Sequence, residues 1–376
     1  MSMLNIVIAD NDEEFIEAFE RFLEKNYRER FQAVCITTSK YLNEYLKGTS
    51  KKIDILLIAS VFVPMSNMEN VNTVIVMTDG RITTELGKFK TLEKYQGAQN
   101  LVRRIIDIYA ENNPNEIHIP FSDKKTKIIS VFSPNGGTGK TTVSIAAALR
   151  LAQRGEKVFY LNFESFSSTA AFLNCKSETN LSHVLYFLKE KSKNLSLKIE
   201  GVKLKDLNSG LYYFAPTDMP LEINEIDEDD AKELVNQLKA FKYYDYIIID
   251  MPSVMDEKNI RLFQLCDSII YIFTPDRISQ IKSFEFFKAL GMTEKKELKG
   301  IENKLRFIIN KFDGESFDTF ESLGIQQRVI EVKIPEMPGI FSGIGNMQGM
   351  RLDNGFGESV NQLVSMILGV NEDGSL

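Results

Sequence analysis

The residues most suited to chemistry are grouped in one short segment, Ser133–Thr142, which reads SPNGGTGKTT. An apolar, β-branched run precedes it from Lys127, and an alanine-rich helical pattern begins at Lys140. A strand, a glycine loop and a helix in this order are typical of a site for the phosphates of a nucleotide. Glycine lets successive backbone N–H groups turn toward an anion without a Cβ clash, and the positive end of the helix dipole adds to the attraction.

The first two residues of the helix make this prediction more specific. Lys140 is placed to reach the β- and γ-phosphates of ATP, and the Thr141 hydroxyl is placed to ligate Mg²⁺. The loop residues that we expect around the phosphates are Asn135, Gly136, Gly137, Thr138, Gly139, Lys140, Thr141 and Thr142. The strict pattern G-x-x-x-x-G-K-[ST] has glycine where this chain has Pro134, so a simple turn is the alternative. The strand before the loop and the helix after it favour the phosphate site.

A second motif lies downstream, in the segment Tyr244–Asp250, which reads YDYIIID. An apolar strand that ends in aspartate is common by itself. Its place after a glycine loop makes it informative, because such an acid holds the water shell of Mg²⁺ beside the loop hydroxyl. We therefore predict that Asp250 and Thr141 hold the metal together.

The composition limits the classes of protein to which this chain can belong. Its 376 residues are 43% hydrophobic and 26% charged, which is typical of a soluble globular protein of two domains. A net charge of −7 argues against general electrostatic binding to nucleic acid or anionic lipid, although it does not exclude a local basic patch. Two histidines and three cysteines leave little material for a histidine-rich metal centre and predict free thiols. The first residues lack the pattern of a signal peptide, and no run approaches the ~20 apolar residues of a membrane span, so we expect a cytoplasmic protein.

The elements that must position these residues predict two α/β domains. We expect an N-terminal domain over residues 1–112, a linker rich in Asn, Pro and charge over 113–126, and a second domain over 127–376. The predicted N-terminal strands are Asn5–Ala9, Phe31–Thr37, Ile53–Ala59 and Val74–Thr78, with helices near Ser39–Lys47 and Leu92–Ala110. Alternating strands and helices predict a doubly wound, flavodoxin-like arrangement.

The N-terminal domain resembles the receiver domain of two-component response regulators. Asp10 and Asp12 follow the first strand, Thr78 follows the fourth, and Lys94 lies near the position of the receiver's late lysine. The phosphoacceptor aspartate is absent, because Ala59 stands where it would close the central strand. No aspartyl phosphate can form on a methyl group. The resemblance therefore implies a degenerate receiver kept for protein contacts; an unrelated flavodoxin-like module is the alternative.

The second domain resembles the deviant-Walker ATPases typified by MinD and ParA. The motifs that carry the resemblance are PNGGTGKTT, LNFE, YIIIDMP, IINK and IPEMP, in this order. The resemblance implies a P-loop fold with a mostly parallel sheet, bound ATP and Mg²⁺, and a homodimer formed face to face through the nucleotide. It also implies that Asn310 reads the adenine edge and that Pro335 lines the base pocket. The implied nucleotide-binding set is completed by Lys311 and Glu336.

Two departures from the family pattern bear on catalysis. At the position of the family's signature lysine, which reaches the partner's phosphates, this chain has Asn135. At the position of the acid that orients the attacking water it has Asn162, with Glu164 two residues later. An amide can position water but accepts a proton poorly. With Lys140, Asn162 and Asp250 as the catalytic set, we expect hydrolysis slower by about two to five orders of magnitude.

The expected helices and strands of this domain end with an amphipathic helix over Ser359–Leu368. Upstream we predict a strand over Glu156–Glu164, a helix over Phe166–Leu173 and mostly helix over Asn180–Asn208. Further strands are expected over Ser268–Pro275 and Leu305–Lys311. The chain closes with an acidic, lysine-poor segment, so no basic membrane anchor is predicted there.

A degenerate receiver ahead of a deviant-Walker ATPase resembles the pilus-assembly family of TadZ and CpaE. This resemblance implies an ATP-dependent homodimer that docks at a cell pole, through its receiver-like domain, onto a tight-adherence (Flp-type) pilus or secretion machinery. A partitioning or division-site ATPase of the MinD/ParA type remains an alternative. A flagellar-number or receiver-linked transcriptional regulator is another, although no basic helix-turn-helix is visible and nucleic acid is not an expected partner.

Overall fold

The fold is described from a computed structural model. It describes residues 3–28, 30–49, 51–65, 68–79, 89–113, 125–192, 195–241, 243–292, 300–314, 329–336 and 355–369. The contacts divide the chain into a first unit, Met1–Ser122 with Glu190–Val202, and a second unit, Asp123–Lys189 with Lys203–Leu376. The segment 190–202, which the sequence grouped with the second domain, therefore packs with the first unit. Residues 114–124 of the expected linker and 337–338 of the IPEMP motif lie outside the described residues.

The first unit contains a five-stranded parallel sheet in the order β2-β1-β3-β4-β5. This is a doubly wound α/β arrangement. A 3₁₀ turn over Ser60–Met65 follows the third strand. The labelled elements are β1 Leu4–Ala9, α1 Glu13–Tyr27, β2 Phe31–Ile36, α2 Ser39–Gly48, β3 Ile53–Ala59, β4 Val71–Thr78, β5 Lys90–Glu93 and α3 Ala98–Asn112. Every residue of β3 is buried, as expected for a central strand covered on both faces.

The prediction of a helix from Leu92 was wrong at its start. Residues Lys90–Glu93 form the edge strand β5, with Leu92 buried and aligned with Met77 of β4. The helix α3 begins only at Ala98, with Gly97 at its N-cap position. A four-residue strand is too short to show a clear alternating pattern in the sequence. Its apolar residue therefore fits the periodicity of the following helix and makes that helix look longer than it is.

A cluster of charged residues lies at the carboxyl edge of this sheet. The Lys94 Nζ is 3.2 Å from an oxygen of Asp10, 3.1 Å from one of Asp12 and 3.8 Å from one of Asp79. Lys94 and Asp10 are 5% and 1% exposed, and Asp10 Oδ2 has no hydrogen-bond partner in the described part of the chain. The Phe15 backbone N–H, the Tyr95 hydroxyl and Lys94 lower the pKa of Asp12 to about 2. The ammonium of Lys94 thus neutralises the acids that follow β1.

The second unit contains an eight-stranded sheet in the order β13-β12-β11-β6-β10-β7-β9-β8. All neighbouring strands are parallel except the pair β8–β9, which is antiparallel, so the predicted mostly parallel sheet is confirmed. Its strands are β6 Lys127–Phe132, β7 Val158–Asn162, β8 Leu204–Lys205, β9 Tyr212–Tyr213, β10 Tyr246–Asp250, β11 Ser268–Phe273, β12 Leu305–Phe312 and β13 Ile330–Pro335. The helices after α3 are α4 Lys140–Gln153, α5 Leu181–Lys189, α6 Leu195–Val202, α7 Glu222–Glu225, α8 Glu228–Ala240, α9 Glu257–Leu265, α10 Arg277–Met292 and α11 Gly355–Leu368. Of these, α6 belongs to the first unit.

One predicted helix of the second domain is much shorter than expected. The helix predicted over Phe166–Leu173 is reduced to a 3₁₀ turn, Thr169–Ala171. The Ser167 hydroxyl accepts a hydrogen bond from the Thr169 backbone N–H at 3.3 Å, a local contact that competes with helix formation. The segment 180–208, predicted as mostly helix, contains the helices α5 and α6, which confirms the prediction, and then the short strand β8. Among the described residues, no helix is long and apolar enough to cross a membrane.

Replacing Lys94 by Met should destabilise the first unit. The substitution keeps the aliphatic stem and removes the ammonium, which leaves the buried Asp10 carboxylate uncompensated beside Asp12. Breaking such a pair by removing one partner is expected to cost ~3 kcal/mol. Hydrogen exchange of the β1 and β3 amides in denaturant would measure the loss. Lys47→Met, at an exposed position of α2, is the control, and equal protection in both variants would contradict a stabilising role for the cluster.

Candidate functional site

The predicted site residues meet at the carboxyl edge of the large sheet. The glycine loop follows β6, Asp250 ends β10, and Asn162 ends β7, and these three strands are neighbours. In the register of the sheet, Asp250 is aligned with Val131 on one side and with Asn162 on the other. Parallel strands bring their carboxyl ends to one edge, so residues far apart in the chain share one site.

The loop has the backbone that the sequence predicted for it. Gly137 and Gly139 adopt positive φ angles of 74° and 89°, which side-chain-bearing residues rarely adopt. The helix α4 begins at Lys140, directly after Gly139. A Cβ at Gly139 would collide with the side-chain nitrogen of Asn310, so this glycine is also required by a close contact. The loop and the helix N-terminus together can receive an anion.

The side chain of Lys140 is buried and held by oxygen atoms on two sides. Its Nζ donates to the Ser253 hydroxyl at 2.7 Å and lies 3.5 Å from Glu164 Oε1. The Ser253 hydroxyl donates in turn to the Asn135 carbonyl of the loop at 3.0 Å. Ser253 lies three residues after Asp250, in the MPS sequence that follows the strand β10. The contact across 113 residues explains why its part in the site was missed.

Glu164 is the carboxylate that the structure brings to the loop. Its Oε2 accepts a hydrogen bond from the Thr141 hydroxyl at 3.2 Å, while its other oxygen faces Lys140. Its backbone N–H donates to Asn162 Oδ1 at 2.7 Å, so the amide orients the segment that carries the acid. The family pattern predicts Asn162, and not Glu164, at the position that orients water. In this structure Glu164 makes the contacts with Lys140 and Thr141.

Asp250 is fully buried, and its two carboxylate oxygens differ in their hydrogen bonds. Its Oδ2 accepts from the Tyr160 hydroxyl at 2.9 Å and from Asn162 Nδ2 at 3.0 Å. Its Oδ1 has no hydrogen-bond partner among the described residues. Burial, and after it the charge of Glu164, raises the pKa of Asp250 to about 7, against the lowering effect of the Thr141 and Tyr160 hydroxyls and of Lys140. Tyr160 was not predicted, since it lies within an apolar strand where aromatic residues are ordinary core.

The donor set fits a Mg²⁺–nucleotide complex. The Thr141 hydroxyl and the unpartnered, buried Oδ1 of Asp250 are oxygen ligands of the kind that Mg²⁺ and its water shell prefer. The loop supplies N–H groups and Lys140 supplies the positive charge that phosphates require. In this structure the Glu164 carboxylate contacts both the Lys140 ammonium and the Thr141 hydroxyl. A phosphate that binds to these two groups would therefore displace it.

The residues predicted to contact adenine lie on the neighbouring strand ends. Asn310, near the end of β12, is buried, and its Nδ2 donates to the Thr138 carbonyl at 2.7 Å, which joins it to the phosphate loop. Lys311 has a positive φ of 57°, and Pro335 ends β13. The Glu336 backbone N–H donates to the Phe312 carbonyl at 3.1 Å. Their contact with the base stays a prediction.

Comparisons with known proteins agree with this site. The family model described as AAA domain matches residues 126–281. The septum site-determining protein MinD of Helicobacter pylori is 25% identical over 202 residues, which cover 53% of this chain and 72% of that protein. The tyrosine-protein kinase CpsD of Streptococcus pneumoniae is 28% identical over 228 residues, which cover 59% of this chain and 94% of the kinase.

Two solved structures share the fold of the second unit. The MinC:MinD cell division protein complex of Aquifex aeolicus matches with a TM-score of 0.52 and 18% identity, over 65% of this chain and 97% of that one. A ParA family ATPase from Chlorobium tepidum matches with a TM-score of 0.50 and 17% identity, over 64% and 98%. At this identity the likeness shows the fold alone. The family model and the relatives support the similarity of the second unit to P-loop ATPases of the MinD/ParA type.

Proposed function

We propose that this protein binds ATP with Mg²⁺ between two copies of itself and uses the resulting dimer as a localisation or assembly factor. The observation that carries the proposal is the buried Lys140 at the glycine loop, beside Thr141 and the fully buried Asp250. A lysine kept out of water at a helix N-terminus is suited to a phosphate anion. The fold and the relatives of the second unit support a nucleotide-dependent dimer.

Each residue of the proposed site has a separate task. The loop N–H groups and Lys140 bind and orient the phosphates, while Thr141 and Asp250 hold the metal and its water. Bound Mg²⁺ neutralises the phosphate oxygens where negative charge accumulates. Asn310 fixes the loop through Thr138, and Ser253 fixes Lys140 against the Asn135 carbonyl.

We propose that hydrolysis is slow. Asn135 offers no second cation to a partner's phosphates, and the Asn162 amide is committed to Asp250 and to the Tyr160 hydroxyl. Glu164 is then the carboxylate within reach of the loop that can orient water, once it has left Lys140 and Thr141. The product that matters is therefore the ATP-bound dimer and not rapid turnover.

The first unit supports a docking role in this proposal. Its strand order and the cluster of Asp10, Asp12 and Lys94 agree with a receiver-like module, while Ala59 supplies no phosphoacceptor. A module of this kind ahead of a MinD/ParA-type ATPase fits a factor that places a tight-adherence (Flp-type) pilus or secretion machinery at a cell pole. The names of the relatives favour a second candidate, a division-site or partitioning ATPase.

The acid Glu164 should control both the strength and the pH dependence of nucleotide binding. Glu164→Gln removes a charged competitor for Lys140 and Thr141, so Mg-ATP should bind about tenfold more tightly at pH 7 (~1.4 kcal/mol). Because Asp250 must lose a proton to hold the metal, affinity in the unaltered protein should rise as pH increases through about 7. In Glu164→Gln this midpoint should move to lower pH, because the charge that raises the pKa of Asp250 is gone.

Titration calorimetry with Mg-ATP from pH 5.5 to 8.5 would measure both effects, at about half-unit steps. Glu178→Gln, at an exposed position in the same unit, is the matched control. A change in affinity caused by titration of the nucleotide itself would occur equally in this variant. Identical midpoints in the two variants would show that Glu164 does not act on Asp250.

Lys140→Ala should abolish the ATP-dependent dimer. The substitution removes the ammonium that the phosphates require, so sedimentation with Mg-ATP should show a monomer where the unaltered protein dimerises. Lys232→Ala, an exposed lysine of α8, should dimerise normally. A Lys140→Ala protein that still dimerises with ATP would contradict the nucleotide-bridged dimer.

Deletion of residues 1–120, with residues 190–202 replaced by a short flexible linker because they pack in the first unit, should abolish localisation but not nucleotide binding. A fluorescent fusion of the whole chain should form polar foci in its own cells, and the deletion should be diffuse while its purified form still binds Mg-ATP. Diffuse fluorescence of the whole chain would contradict the docking role. Fluorescence over the nucleoid, with DNA retention that falls steeply with salt, would instead favour partitioning.

A further inference from the structure

The helix α6 is provided by the part of the chain that otherwise builds the second unit. The chain leaves that unit after α5, forms α6 within the first unit, and returns at β8. The buried side of the helix is apolar apart from one acid. Its buried residues are Leu195, Ile199, Glu200, Gly201 and Val202. A helix so buried packs closely within the first unit.

The acid on this helix lies buried near a buried cation of the first unit. Glu200 is 2% exposed and Arg30 is 4% exposed, and Arg30 directly precedes β2. Burial lowers the pKa of Arg30, and the charge of Glu200 is the strongest influence that opposes this, ahead of Tyr109 and Asp54. Burial raises the pKa of Tyr27, at the end of α1, and the charge of the Glu200 carboxylate raises it further.

Part of the buried Arg30 guanidinium is left without hydrogen bonds among the described residues. Its Nε and Nη2 have no hydrogen-bond partner in the described part of the chain. The nearby Asp54 already accepts the Asn5 backbone N–H at 2.8 Å. A buried cation with unfilled donors is costly unless an opposite charge lies close to it. Glu200 supplies that charge from a segment that is distant in the sequence.

The backbone of α6 also approaches α3 closely. At Gly201, an added Cβ would lie 3.3 Å from Arg103 Cγ and 3.7 Å from the Arg103 Cα. A side chain there would crowd the stem of Arg103. A glycine at the crossing point and a buried acid beside it are two independent adaptations of α6 to the same surface.

We propose that residues 190–202 form a docking segment, which completes the first unit by burying Glu200 near Arg30 and packing Gly201 against α3. The first unit is then not an autonomous domain joined only by residues 113–126. The first unit also includes residues that follow α5 in the chain, and α6 packs against α3 within it. This inference is independent of the proposed function, because it involves none of the residues assigned to nucleotide binding.

Hydrogen exchange on three full-length variants tests the docking segment. Glu200→Gln removes the strongest of the opposing charges near Arg30, so exchange of the β2 and α3 amides should become about tenfold faster or more. Glu190→Gln, at an exposed position of the same segment, should leave these amides unchanged. The double variant Arg30→Met with Glu200→Leu removes both charges and should restore most of the protection.

The pattern across the variants decides the result. Equal exchange in Glu200→Gln and Glu190→Gln would overturn the proposal, and so would a double variant that is no better protected than Glu200→Gln. Binding of Mg-ATP, measured on each variant, reports separately on the second unit. Weak binding in the unaltered protein would count against the nucleotide proposal and not against the docking segment.

Discussion

The second unit is organised around one buried ammonium group. Lys140 is only 6% exposed, at a sheet edge that it shares with two carboxylates. A cation in such a place must be held by oxygen atoms, and Ser253, Glu164 and the loop carbonyl of Asn135 supply or anchor them. These groups come from segments that follow three neighbouring parallel strands, so the strand order β6-β10-β7 is what allows the charge to be buried.

The same constraint explains the unusual state of Asp250. Two acids facing one cation in a dry site cannot both be fully ionised at low cost, and the fully buried one has its pKa raised to about 7. Tyr160 and Asn162 hold one oxygen of Asp250, which leaves the other without a partner. One side of the site, at the Asp250 oxygen without a partner, is thus short of positive charge. On the other side the Glu164 carboxylate contacts Lys140 and Thr141 and can be displaced. A metal–phosphate complex would satisfy both.

The sequence predicted the parts of this site that local pattern determines. The loop, Lys140, Thr141 and Asp250 each lie in a short motif whose strand and helix context is visible in the chain, and the mostly parallel sheet follows from buried strands alternating with helices. Glu164, Ser253 and Tyr160 could not be assigned because their contacts span 23, 113 and 90 residues and depend on strand order. The short edge strand β5 and the grouping of α6 with the first unit were missed for the same reason, since both depend on packing rather than periodicity.

The two units use a lysine and carboxylates at a sheet edge in opposite ways. Lys94 is bound to Asp10 and Asp12 and lies 5.3 Å and 4.9 Å from the ring centroids of Phe15 and Tyr95. Its charge is already neutralised by fixed partners. Lys140 faces a carboxylate that a phosphate can replace. In the chain, α6 lies between α5 and β8, which belong to the unit that contains Lys140. The chain therefore links the unit with the replaceable carboxylate a second time to the unit in which Lys94 has fixed partners.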